Sequence, residues 1–131
     1  MTQAPKSISA STPKSGENSW LWLLKLVTGP FIIIFMLVHF IVNHAIASSG
    51  LLNYSDILTY YTIWVVPVME IIFLGLVVSH SLLGLRSIII DLHPSRGVLA
   101  VISWLFLIIG VSAFVYGTWL ITVIVSLRVT L

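Results

Sequence analysis

The sequence predicts an all-α membrane protein with three transmembrane helices, and three observations carry that prediction. Hydrophobic residues make up 59% of the 131 residues and charged residues only 8%, a composition that excludes an ordinary soluble domain. The mean hydropathy is +1.14. Three apolar runs are each longer than the roughly 20 residues that a helix needs to cross a bilayer. They leave no room for a soluble catalytic domain, so we expect any larger chemistry to need partner subunits.

The predicted elements follow from these runs in chain order. Residues 1–19 are rich in Ser, Thr, Pro and Lys, which predicts a flexible N-terminal arm that does not fold alone. Residues 20–131 form the predicted membrane domain. A short segment at residues 91–97 contains Pro94 and makes the second and third spans antiparallel neighbours. The three spans are predicted at about residues 20–47, 61–90 and 98–127.

The basic residues predict how the chain lies in the membrane. Five of the six Lys and Arg lie before or near the start of the first span or flank the second connection, and one follows the third span. Because cytoplasmic segments carry an excess of Lys and Arg, we expect a multi-pass protein of the inner (cytoplasmic) membrane with a cytoplasmic N-terminus. The formal net charge of only +2 therefore reports topology, and we expect no nucleic-acid partner.

Histidine is the strong cofactor ligand that this chain offers, since it has no cysteine for thiolate sites or iron–sulfur clusters. An imidazole, a small residue and two polar groups share one face of the second predicted span, because residues four, seven and eleven positions apart stack in a helix. These are His80, Gly84, Ser87 and Asp91. A flat prosthetic group fits beside the glycine, so this face predicts half of a haem site with His80 as axial ligand. The alternative is a core histidine bonded to a backbone carbonyl.

His39 is the second candidate ligand, and it lies about 21 Å along the first span from Lys25. His39 and His80 lie at different depths on antiparallel spans, so we expect each to face a histidine of a partner subunit rather than to share one iron. His39 then ligates a second, outer haem, or it is a structural histidine. Glu70, in the outer half of the second span, predicts proton or quinone handling, with structural pairing as the equal alternative.

Five polar residues are candidate contacts for haem propionates or a quinone. Arg86, near the water boundary, is suited to a propionate or a quinone head group, with support from Asp91 and Ser87. Lys25 and Thr28 offer an ammonium and a hydroxyl to a quinone carbonyl, although a threonine hydroxyl more commonly bonds its own helix.

Two motifs give the chain a family resemblance. The second span carries His80, three residues, Gly84, an aliphatic residue, Arg86, four residues and Asp91. The first carries Thr28 and Gly29, with His39 ten residues after the glycine. The chain resembles, from Trp20 onward, the haem-bearing membrane anchors of succinate dehydrogenase and fumarate reductase, the succinate:quinone oxidoreductases of respiratory complex II, in their two-anchor form.

The resemblance implies a chain without catalytic residues of its own that works within a complex. A flavoprotein with FAD oxidises succinate, an iron–sulfur subunit carries electrons, and two anchors in the lipid bilayer bind one or two haems b and support electron transfer to quinone. This chain is then one anchor, and its spans pack with the second anchor into a haem-binding bundle. Leu92 and Leu26 stand where the family often has a quinone-site tyrosine and an arginine, which points to quinone contacts mainly from the partner anchor.

Two other functions stay open on the sequence. One is the cytochrome b anchor of another respiratory oxidoreductase, such as a formate dehydrogenase or hydrogenase, which usually has more spans and histidines. The other is a cofactor-free three-helix scaffold or small transporter subunit, in which the histidines are structural or carry protons.

Overall fold

The structure, a computed structural model, describes residues 17–46 and 53–129. Three of its helices are long and apolar enough to cross a membrane, and the described residues contain no strand. The predicted all-α class with three membrane-spanning helices is therefore confirmed. The helices are α1 (Ser19–Ile46), α2 (Tyr54–Tyr60), α3 (Val65–Asp91) and α4 (Arg96–Val129).

Helix α1 begins at a polar cap. The Asn18 side-chain oxygen accepts a hydrogen bond from the Trp20 backbone N–H at 2.9 Å, which satisfies one of the free donors of the first turn. Pro30 lies inside α1. Pro67 falls in the first turn of α3, where a missing N–H costs no helix hydrogen bond.

The connection between the first two spans contains a helix that the sequence analysis did not assign. Asn53 caps α2, because its side chain accepts from the Asp56 backbone N–H at 2.9 Å while the Asp56 carboxylate accepts from the Asn53 N–H at 3.0 Å. This reciprocal pair is a capping box. After α2 the chain turns through residues 61–64, so α3 begins at Val65 rather than at the predicted residue 61.

Helix α3 lies between α1 and α4 and packs against both. Its contact with α4 uses glycines that allow close helix approach: a Cβ placed on Gly117 would lie 2.5 Å from Leu74, and one on Gly75 would lie 3.2 Å from Phe114. Few side chains in the described ranges are fully buried. Many large apolar side chains instead face outward, as expected for helices that face lipid.

Candidate functional site

Two polar clusters lie between α1 and α3, and the one nearer the start of α1, called the inner cluster, contains His80. His80 Nδ1 lies 2.9 Å from the hydroxyl oxygen of Thr28. Thr28 is buried, and its hydroxyl donates to the Lys25 carbonyl oxygen at 3.1 Å. A threonine hydroxyl has one hydrogen, so with that hydrogen on Lys25 it accepts at the imidazole. The hydrogen-bonding pattern therefore favours a His80 ring with its proton on Nδ1 and a lone pair on Nε2.

The surroundings of His80 leave one side of it open. Gly29 lies against the ring, since an added Cβ would be 3.4 Å from His80 Cε1. One turn further along α3, an added Cβ on Gly84 would meet nothing within 4 Å. Among the described residues, the Thr28 hydroxyl is the hydrogen-bond partner of the ring, and no partner lies at Nε2. The donor set and the space beside it fit an axial ligand of haem iron.

The second part of the inner cluster lies nearer the start of α1 and the end of α3. The Lys25 ammonium donates to Ser87 Oγ at 2.9 Å and forms an ion pair with Glu17 Oε1, also at 2.9 Å. Ser87 is buried, and the Glu17 side chain is only 4% exposed. An ammonium has three N–H donors, and within the described chain no protein acceptor is bonded to the third. The cluster can therefore offer a cationic donor to a carbonyl oxygen.

The outer cluster brings His39 and Glu70 together. His39 Nδ1 lies 3.0 Å from Glu70 Oε1, and the imidazole stacks on Phe73 with ring centroids 5.7 Å apart. The Tyr60 hydroxyl points at the same carboxylate oxygen from 3.5 Å. Glu70 lies ten residues before His80, so the clusters are separated by about 15 Å along α3. His39 and His80 thus occupy different depths in the structure.

Arg86 and Asp91 are not brought to His80 by the contacts of the described residues. Arg86 Nε donates to Ser103 Oγ on α4 at 3.0 Å. Asp91 is the last residue of α3 and is exposed. His44 stacks on Phe40, and His93 lies in the turn between α3 and α4 with φ of 52°.

Sequence reasoning missed Glu17 and Tyr60. Glu17 was included in the N-terminal arm, and only its contact with Lys25 reveals it. Tyr60 was assigned to a connection, yet it is 3% exposed. The capping box at Asn53 is the sequence signal that could have revealed Tyr60, because it predicts the start of a helix, and one face of that helix lies toward the bundle.

Two tyrosines near the outer cluster lie outside the membrane-spanning segments and have shifted ionisation. Burial, and then the neighbouring Glu70 carboxylate, raises the pKa of Tyr60 from 10.0 to about 12. The same two causes raise the pKa of Tyr61. Burial and a nearby negative charge both disfavour the phenolate, so Tyr60 holds its proton up to strongly alkaline pH.

This shift predicts how Tyr60 affects alkaline stability. Because the folded-state pKa lies above the unfolded value, the contribution of Tyr60 is complete below pH 10.0 and is lost as the pH rises toward about 12. Tyr60→Phe has no phenolate, so we expect its thermal midpoint, measured in the purified complex, to fall less over this range. Tyr54→Phe, at an exposed position of the same helix, is the control. Equal alkaline losses in the two variants would contradict this role.

In the described part of the chain, no three His, Cys, Asp or Glu side chains come close enough to hold a metal ion by themselves. A haem would not need such a cluster, because the porphyrin supplies four of the iron ligands and the protein supplies the other two. One imidazole from this chain would then be enough as its contribution to a haem site.

Comparison with known proteins gives one family. The model described as succinate dehydrogenase/fumarate reductase transmembrane subunit matches residues 3–101. This range takes in α1, α2 and α3 and the start of α4, and so contains both polar clusters. No curated protein and no solved structure gives a significant match.

Proposed function

The chain belongs to the family of succinate dehydrogenase/fumarate reductase transmembrane subunits, and from this premise we propose that it binds haem b and supports electron transfer to quinone. Membership and the three apolar helices make it a multi-pass membrane protein that associates with other subunits of such a complex. The partners that we propose are a second anchor, an iron–sulfur subunit and a flavoprotein carrying FAD. We also propose the inner membrane, with the N-terminus in the cytoplasm.

One observation carries the haem proposal: the contact between His80 Nδ1 and Thr28 at 2.9 Å. Histidines that ligate metals almost always donate their other ring N–H to an oxygen, which fixes the tautomer and the ring orientation. Thr28 provides that oxygen here. The open space at Gly84 leaves room for a flat macrocycle beside the ring. A bound haem b would supply a one-electron carrier within the membrane.

The quinone part of the proposal is supported by the inner end of the same interface. Lys25 is held by Glu17 and Ser87 at 2.9 Å each, which leaves one ammonium N–H to donate to a quinone carbonyl. Ser87 lies two turns from His80 on the same face of α3. The Thr28 hydroxyl donates its hydrogen to the Lys25 carbonyl. We therefore assign the Thr28 oxygen to His80 rather than to the quinone.

Haem content and the electron donor test this function. A reduced-minus-oxidised spectrum of the purified complex is expected to show haem b, whereas its absence would favour the cofactor-free scaffold or transporter subunit. Succinate-driven quinone reduction distinguishes this complex from a formate dehydrogenase or hydrogenase.

Thr28→Val has nearly the shape of threonine but no hydroxyl. We expect it to lower haem affinity about 10- to 100-fold, the usual effect of losing such a partner, while Thr28→Ser keeps the haem. The measurement is haem retained per complex after purification. Equal retention in Thr28→Val and Thr28→Ser would contradict the assigned role of Thr28.

A further inference from the structure

A cavity of about 610 Å³ lies among α1, α3 and α4, within the roughly 300–1,000 Å³ typical of small-molecule sites. Its walls are mostly apolar, with Leu24 on α1, Val78 on α3 and Phe106 on α4 among the lining residues. His80 and His39 do not line it. The cavity is therefore separate from both polar clusters.

The polar groups in the wall leave Arg86 as the source of unused donors. Ser79 donates to carbonyl oxygens of its own helix. Ser103 donates to the Leu99 carbonyl at 2.7 Å and accepts from Arg86 Nε at 3.0 Å. A guanidinium has five N–H groups, so four remain on Arg86 after this bond. Over the residues that the structure describes, no carboxylate pairs with Arg86.

The position of Arg86 adds a second constraint. It lies five residues before the end of α3, about 7.5 Å from it along the helix axis, and at the same end of the bundle as Lys25 and Arg96. A charged side chain at that depth is stabilised when an anion pairs with it. Its bond to Ser103 holds the guanidinium at the cavity instead of leaving it to extend into water.

We propose that this cavity binds an anionic phospholipid, with the phosphate on Arg86 and an acyl chain along the apolar wall between α3 and α4. The choice follows from charge complementarity: the site presents a cation with several donors at one end and hydrocarbon elsewhere. Planar guanidinium groups pair with phosphate through two parallel N–H bonds, and basic pockets between transmembrane helices suit acidic lipid head groups. This binding goes beyond the proposed haem and quinone function and does not depend on it.

Native mass spectrometry of the whole complex tests the proposal. The purified complex is reconstituted into nanodiscs that contain phosphatidylglycerol in phosphatidylcholine. The complex is then released from the nanodiscs in the spectrometer, and the phospholipid molecules that stay bound to it are counted. We expect phosphatidylglycerol to be retained in preference to phosphatidylcholine. Arg86→Gln is expected to weaken that retention by about tenfold or more, as for loss of a charged hydrogen-bonding partner.

Two further variants make the result specific. Arg96→Gln removes a charge at the same end of the bundle, but Arg96 is exposed and does not line the cavity, so retention is expected to persist. Leu24→Trp narrows the cavity from α1 and keeps Arg86, and we expect it to weaken retention as well. Equal losses in Arg86→Gln and Arg96→Gln would overturn the proposal.

Three other results would also overturn it. If no acidic lipid is retained by the unaltered complex, the cavity is not a site for anionic phospholipid. If Arg86→Gln instead lowers retained quinone, the occupant is quinone. If it changes the haem spectrum while lipid retention stays constant, Arg86 serves a haem propionate.

Discussion

His80→Ala is expected to remove the inner haem, or to reduce it to a small fraction, while the three spans still insert. An axial imidazole contributes a direct bond to iron that alanine cannot replace. The substitution also leaves the Thr28 oxygen without its imidazole donor and removes the ring beside Gly29, where an added Cβ would lie 3.4 Å from Cε1. The measurement is the reduced-minus-oxidised haem b spectrum of membranes, scaled to the amount of this chain by immunoblot.

A matched histidine variant separates ligation from general effects. His93 is exposed in the turn between α3 and α4 with φ of 52°, and asparagine tolerates that backbone conformation, so His93→Asn is expected to leave the spectrum unchanged. His80→Gln retains a side-chain amide that can donate to Thr28, and it should still lose the haem. A normal haem spectrum in either His80 variant, with the chain present at its usual level, would reject His80 as the ligand.

The sequence was enough to predict the three long helices and the face that carries His80. Both follow from local rules, since uninterrupted apolar runs predict spans and a 3.6-residue period places residues seven apart on one side. The same period also places Arg86, six residues after His80, about 240° around the helix. Its contact with Ser103 on α4 is therefore consistent with the sequence, although the motif had suggested a shared site with His80.

The pairings between helices could not be predicted in the same way. Thr28 and His80, and His39 and Glu70, were each chosen singly, and only the structure joins them. Moving eleven residues along α1 between these pairs corresponds to moving ten residues back along α3, as antiparallel packing requires. Neither helix alone sets that register, because it depends on how the two surfaces interlock. Helix α2 was missed because seven residues are too few for a clear apolar period.

For the outer cluster, we expect His39→Leu to remove a second haem and to leave the haem linked to His80. The contact of His39 Nδ1 with Glu70 at 3.0 Å resembles the carboxylate–histidine arrangement that orients metal ligands. On this proposal Glu70 would hold the ring, and a histidine of the partner anchor would complete the coordination of the iron. The depth difference of about 15 Å along α3 prevents His39 and His80 from serving one iron.

Haem stoichiometry per complex decides between this function and a structural ion pair. We expect two haems in the unaltered complex and one in His39→Leu. Leucine leaves a poorly exposed carboxylate without its imidazole partner, which by itself destabilises the bundle. His39→Gln is therefore the second variant, because its amide can donate to Glu70, and the outer haem should still be lost. Glu70→Gln keeps an acceptor for His39, so we expect it to retain both haems with altered potential or turnover. One haem in the unaltered complex would assign His39 and Glu70 to helix pairing alone, while the expectation for His80 would stand.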